Sequence, residues 1–233
     1  MTKRVRVLIS GLGAALLAAP MVARAQTTSR LVITPYAGVY TPTTNLAHVG
    51  AAMGGQSARL TLKQKTALAL GGNMSYWFTE RTALEVGAAY AFSDARASTR
   101  VFGGGQGFAF SGSENAYALL GSAKLMVSVL PSTSPMSLRV GVGPAVVTRG
   151  GDAYKADESG KFRGLTDVGG AFSLCTKIPI TKLLAVRLRG EDYMYSAKLQ
   201  FVDPSDPTNN FKFDSRFQND LLFSAGLQFA FGH

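Results

Sequence analysis

Histidine, cysteine and tryptophan are nearly missing from this 233-residue chain, which has two, one and one of them. A single cysteine, Cys175, excludes an intramolecular disulfide framework even in an oxidising compartment. Two histidines, His48 and His233, leave no cluster with metal-ligand spacing and little material for a His-based catalytic constellation. Charged residues are only 16% of the chain, so a large apolar surface is expected. No run is long and apolar enough for a spanning helix; Val7–Ala19 would reach roughly 20 Å as a helix, against a hydrocarbon core of about 30 Å. The balance is basic, with formal net charge +10, yet the cations are scattered, with no basic stripe carrying interleaved aromatics. Nucleic-acid binding is therefore not expected.

What is present begins with a leader pattern. Lys3, Arg4 and Arg6 precede the uncharged Val7–Ala19 run, Pro20 breaks it, and Ala23-Arg24-Ala25 supplies small residues at minus three and minus one of a cleavage site. Residues 1–25 read as a secretory signal peptide cut between Ala25 and Gln26, leaving 26–233 as one domain.

Beyond it lie eight segments with a period of two. From Asp220, one row reads Leu221, Phe223, Ala225, Leu227, Phe229, Phe231, and the other Asp220, Leu222, Ser224, Gly226, Gln228, Ala230. Leu84, Val86, Ala88, Tyr90 and Phe92 oppose Ala83, Glu85, Gly87, Ala89 and Ala91 in the same way. A solvated face should carry Lys, Glu, Thr and Gln, whereas the second row here is mostly Gly, Ala and Ser. Small residues suit the narrow lumen of an eight-stranded barrel, and the large apolar row then meets lipid. Tyr76, Trp77 and Phe78, then Tyr90 and Phe92, then Phe229 and Phe231 gather at strand ends, where an interfacial girdle belongs.

Connections alternate between long (41–65, 94–113, 150–164, 202–215) and short (79–81, 131–135 and one after Pro179). Sorting by parity is the pattern of a barrel threaded through a membrane, with short periplasmic turns and long extracellular loops. The expected fold is thus all-β: an eight-stranded antiparallel up-and-down transmembrane barrel. Pro35 and Pro144 fall inside strands, and an irregularity is expected at Pro144.

The stretch Ile33-Thr-Pro-Tyr-Ala-Gly-Val-Tyr-Thr-Pro-Thr43, leaving a first strand for a long loop, carries a resemblance. So does Tyr76-Trp-Phe-Thr-Glu-Arg-Thr-Ala-Leu-Glu-Val-Gly87, a strand, tight turn and returning strand. Together they resemble the small outer-membrane β-barrel proteins of the OmpA and OmpW type. The resemblance implies a Gram-negative-type outer membrane, insertion by its barrel-assembly machinery, and contact with its lipid and lipopolysaccharide. Such chains end on an aromatic residue, whereas this one continues past Phe231 with Gly232 and His233.

The inward row contains the one constellation with chemical potential: Glu85, Lys124, Arg139, Asp167, Lys177, Arg187, Arg189, Glu191 and Asp220. Buried charges must pair, so the favoured reading is a plug of salt bridges, with Glu191 held by Arg187, Arg189 or Lys177. The competing reading is a narrow channel for small or hydrophobic solutes. Weaker still is a lipid-modifying enzyme built on His48, near Thr43 and Ser57 in sequence. Gly103-Gly-Gly-Gln-Gly107 lacks the lysine of a phosphate cradle and reads as a loop tip. Asp203–Asn210 reads as turn residues without calcium-loop spacing. No cofactor, no metal and no enzymatic activity are expected. The expected role is in the envelope itself, or in surface interaction with unidentified ligands through the long loops.

Overall fold

The computed structural model describes residues 30–53, 56–103, 106–130, 137–155, 161–181, 183–202, 211–212 and 216–231. The leader segment, Gly232-His233 and 203–210 lie outside them. Eight strands close a ring: β1 (Arg30–Pro42), β4 (Ala67–Trp77), β5 (Thr82–Gly103), β6 (Gln106–Ser128), β7 (Ser137–Gly150), β9 (Thr166–Pro179), β10 (Leu184–Ala197) and β13 (Arg216–Phe231). Every neighbouring pair is antiparallel, and β1 pairs with β13 to close the barrel. The shorter strands lie in the long connections: β2 (Ala47–Met53), β3 (Gln56–Gln64), β8 (Lys161–Arg163), β11 (Gln200–Val202) and β12 (Phe211–Lys212).

Period-two alternation sorts the faces as the sequence pattern requires. Leu70, Met74, Val86, Leu125, Val142, Leu174, Phe223 and Leu227 stand exposed around the outside, while Ala69, Ala89, Ala118 and Ala171 are buried inside. A monomeric soluble protein seldom exposes a contiguous apolar patch beyond a few hundred Å²; a continuous belt of this kind belongs in lipid. Aromatic pairs mark its two margins. Tyr76 and Phe78 meet edge-on at 5.3 Å on the short-turn side. On the far side Tyr90 meets Phe92 at 4.8 Å and stacks on Tyr117 at 5.2 Å. Trp77, grouped with the girdle by sequence, instead points inward and is buried, because its strand position has the opposite parity to its neighbours.

Two of the long connections are not loops. β5 and β6 run for 22 and 23 residues, about twice the 9–11 needed for a tilted crossing. They stay paired from Thr82–Val127 out to Gly103–Gln106. The β2–β3 hairpin adds to this ribbon, β3 pairing with β5 from Gln64–Ala95 to Ser57–Phe102. The expected loops at 41–65 and 94–113 are thus largely strand, and the flanking glycines of the 103–107 stretch are held in the last two ribbon pairs, Gly103 with Gln106 and Gly107 with Phe102. In the other long connections β8, β11 and β12 form a small separate sheet. The inner side of the ribbon roofs the barrel mouth, where Leu46, Ala95, Ala116 and Tyr154 pack with Leu62, Ala153, Phe162 and Leu165.

Both prolines interrupt one ladder and spare the other. The β1–β13 ladder stops at Ile33–Phe229 and resumes at Tyr36–Gly226, while β1–β4 continues through Pro35–Gly72. The β6–β7 ladder stops at Ser122–Ala145 and resumes at Leu125–Val142, while β7–β9 continues through Pro144–Gly170. A strand proline donates no hydrogen bond. At the second break the chains crowd together, since a Cβ on Gly143 would stand 1.9 Å from the Ala123 carbonyl oxygen.

Candidate functional site

The lumen holds two polar layers, each assembled from facing strands. The layer nearer the short turns centres on Glu85. Strand register sets Ser75 of β4 on one side of it and Lys124 of β6 on the other. Arg187 and Arg189 reach across from β10. Glu85 Oε1 lies 2.6 Å from Arg189 Nη2, and Oε2 lies 2.7 Å from Arg187 Nη1. Ser75 Oγ donates to Oε2 at 2.8 Å, and Lys124 Nζ stands 3.7 Å from Oε1. Lys124 also pairs with Glu191, whose Oε1 is 3.3 Å from Arg189 Nη1. Two carboxylates and three cations therefore interlock, and all but Arg187, which pairs with Glu85 alone, are shared by at least two partners. Lys124 and Glu85 have no exposure to water. Arg187 Nη2 donates to the buried Cys175 Sγ at 3.1 Å, and the Arg139 guanidinium lies 4.3 Å over the Trp77 ring.

The second layer lies toward the ribbon. Asp220 accepts from Tyr40 at 2.7 Å and from Tyr195 at 2.5 Å, hydroxyl donors rather than a cation. Arg149 Nη1 donates to Asp167 at 2.8 Å and its Nη2 to the Tyr195 hydroxyl. The Lys198 backbone N–H donates to the other Asp167 oxygen at 3.2 Å. Above, Gln218 Nε2 donates to the Asn45 backbone carbonyl at 2.9 Å, and the Thr44 hydroxyl donates to the Gln218 side-chain oxygen Oε1.

Between these layers the bore is filled. Tyr36, Tyr40, Leu120, Val147, Tyr193 and Leu222 pack with inward alanines in one buried cluster that draws on all eight ring strands. Large residues fit because their neighbours are small: a Cβ on Gly71 would come within 2.5 Å of the Tyr36 ring. Val32, Trp77, Ala83, Met126 and Cys175 form a second apolar layer at the short-turn end.

The structure brings Glu85, Lys124, Arg187, Arg189 and Glu191 into one network. It places Asp167 and Asp220 in the second, and Arg139 on Trp77. Lys177 is half-buried on β9, in register with Arg187 on β10 and Ser137 on β7. Glu191 pairs with Lys124, outside the three partners expected, and with Arg189, within them. Strand position along β10 could not reveal the first, because it depends on reach across the bore. Sequence reasoning missed Arg149, although carrying the inward alternation of Arg139, Gly141 and Gly143 to the end of β7 leads to it. It missed the tyrosine ligands of Asp220 as well.

The long connection after β7 begins with a 3-10 turn, Asp152–Tyr154, at the barrel rim. Burial pushes the Tyr154 hydroxyl up to about 12. At the exposed end of the turn, a hydrogen bond from Lys155 holds the Asp152 carboxyl below its ordinary value and raises the lysine in return. A cleft of about 530 Å³ opens here between Tyr90, Tyr117, Gly150, Tyr154, Lys155 and Leu165. Among the described residues no group of three or more His, Cys, Asp or Glu side chains could hold a metal ion. His48, expected in a loop, belongs to β2 and pairs with Thr61, while Ser57 pairs with Ala52.

No family model matches the chain, and no curated protein matches it significantly. Solved structures do. The outer membrane protein OprG from Pseudomonas aeruginosa superposes with a TM-score of 0.59 at 15% identity, over 88% of this chain and 97% of that one. The outer membrane protein AlkL, determined in lipid bilayers, gives 0.55 at 13% identity over 92% and 95%. The chain has the fold of the small outer-membrane β-barrels.

Proposed function

We propose that the protein is a non-enzymatic, integral outer-membrane barrel whose lumen is a structural plug. It is exported by a leader over residues 1–25, inserted by the barrel-assembly machinery, and acts in the envelope or at its surface through the ribbon and long connections. The observation that carries this reading is the buried cluster drawing on every ring strand between the two charged layers. A solute would have to displace tyrosines from one layer and break shared ion pairs in the next. Removing one partner of a buried pair costs about 3–5 kcal/mol, so thermal opening of both layers is rare. The apolar belt and its aromatic margins support the membrane placement. His48, opposite Thr61 rather than beside Ser57, gives the enzyme reading no support.

Planar-bilayer recording of the full chain tests it. The expected trace stays at baseline; steady unitary conductance would replace the plug with a narrow channel.

A further inference from the structure

We infer that the outward face of the ribbon clamps the phosphate groups of outer-leaflet lipids, an inference that rests on the outer-membrane placement proposed above. The outward row of β5 rises through Tyr90 and Phe92, passes Asp94, and continues as Arg96, Ser98 and Arg100. On this face β3 sets Lys63 opposite Arg96 and Arg59 opposite Arg100. All four side chains are exposed. Like charges directly opposed across a ladder repel, and this ribbon places two such pairs about 13 Å apart along the strand, four residues at about 3.3 Å each. Between them lies the hydroxyl pair Thr61–Ser98, with Ser111 next to Ser98 on β6.

Among the described residues no carboxylate forms an ion pair with any of the four cations. Asp94, the nearest acid on the row, is engaged by Lys65 at 3.3 Å. The repulsion is relieved when an anion with several oxygens lies across each pair, and the place of the pairs selects the anion. Arg59–Arg100 stands about 26 Å along the tilted strand past Phe92. Lys63–Arg96 stands about 13 Å past it, at the headgroup level that begins where the Tyr90, Phe92 and Tyr117 girdle ends the hydrocarbon. A lipid whose chains lie against the belt brings its headgroup phosphates to this level, so belt and clamp form one continuous surface. Arginine suits the task because its planar fork binds phosphate through two donors.

The test uses the full chain folded in neutral detergent, with native mass spectrometry reading retention of diphosphoryl lipid A against its fully dephosphorylated form. Parent protein is expected to retain the phosphorylated lipid preferentially. Arg59→Ser with Arg100→Ser, or Lys63→Ser with Arg96→Ser, should lower that retention roughly thirtyfold, taking a factor of about five per basic side chain at an anionic surface. Arg59→Lys with Arg100→Lys should keep most of it. Equal retention of both lipids by the parent, or undiminished retention by both serine variants, overturns the inference. So does heparin binding without lipid retention, which would make the face a site for soluble polyanions. Heat-modifiable gel mobility after insertion into phosphatidylcholine vesicles is scored separately. A parent that fails to insert sinks the outer-membrane reading, whereas insertion without phosphate preference sinks the clamp alone.

Discussion

Cations inside the barrel and cations on its ribbon are treated in opposite ways. Lys124, Arg187 and Arg189 are each held by carboxylates within a bore sealed from water, whereas Arg59, Lys63, Arg96 and Arg100 face one another in solvent. The difference follows from the cost of isolation. In a low-dielectric interior an unpaired charge is costly, so these three cations are matched to carboxylates during folding, and Arg139 is set on the Trp77 ring. In water the same mismatch costs little and can be left for a ligand to resolve. Interior charge is thus committed to architecture, and ribbon charge is open to partners.

The sharpest way to break this contrast is Glu85→Gln. It removes the carboxylate shared by Arg187, Arg189 and Lys124, and should destabilise the barrel by about 3–5 kcal/mol. The urea midpoint of the folded band on a gel reads this out; an unchanged midpoint means that water already solvates the lumen. Glu191→Gln should cost less, since Arg189 and Lys124 keep Glu85.

Next in size is Leu227→Arg on the lipid belt. It should cost about 2–4 kcal/mol if near the bilayer midplane, while Ser224→Thr on the inward side of the same strand should be mild. Equal yields of both variants on vesicle folding would contradict the assigned faces.

Asp220→Asn tests whether tyrosine hydroxyls hold a carboxylate much as cations do. Loss of two hydrogen bonds to a charged acceptor, partly replaced by the amide oxygen, should cost about 1–3 kcal/mol. A thermal midpoint of the folded band equal to that of the parent would reduce the second layer to packing alone.

The smallest effect is expected at the rim. Lys65 and Asp94 pair at 3.3 Å with side chains 42% and 43% exposed, and such pairs contribute about 0–1 kcal/mol. Lys65→Ala should therefore move the urea midpoint barely at all, and a shift as large as that of Glu85→Gln would erase the distinction between lumen and surface.

The eight crossings and their two faces were legible because lipid outside and a tight bore inside impose opposite demands on alternate residues. Leu227 and Asp220 declare their sides without further information. The ribbon was not legible for the same reason. Past Phe92 the outward row of β5 becomes Asp94, Arg96 and Ser98, and without lipid to demand apolar residues the strand reads as a loop. Trp77 was misassigned because composition at a strand end outweighed its parity. Pairings inside the bore were hidden for a geometric reason: Lys124 and Glu191 lie on strands that are not neighbours, and only closure of the ring brings them together.

The two proline breaks give the barrel wall unequal strength under load. The β5–β6 ladder runs without a gap from Thr82 to Gly103, but the β1–β13 closure is interrupted at Pro35, on a strand whose other ladder is intact. A pull applied to the last strand should therefore peel β13 from β1 before other seams yield, and the β6–β7 seam beside Pro144 should rupture at lower force than the ribbon. In a force-extension record the first rupture would open the β1–β13 seam while β13 stays paired to β10 from Leu184–Phe229 to Ala197–Arg216, with the β5–β6 hairpin persisting to the end as the last folded remnant.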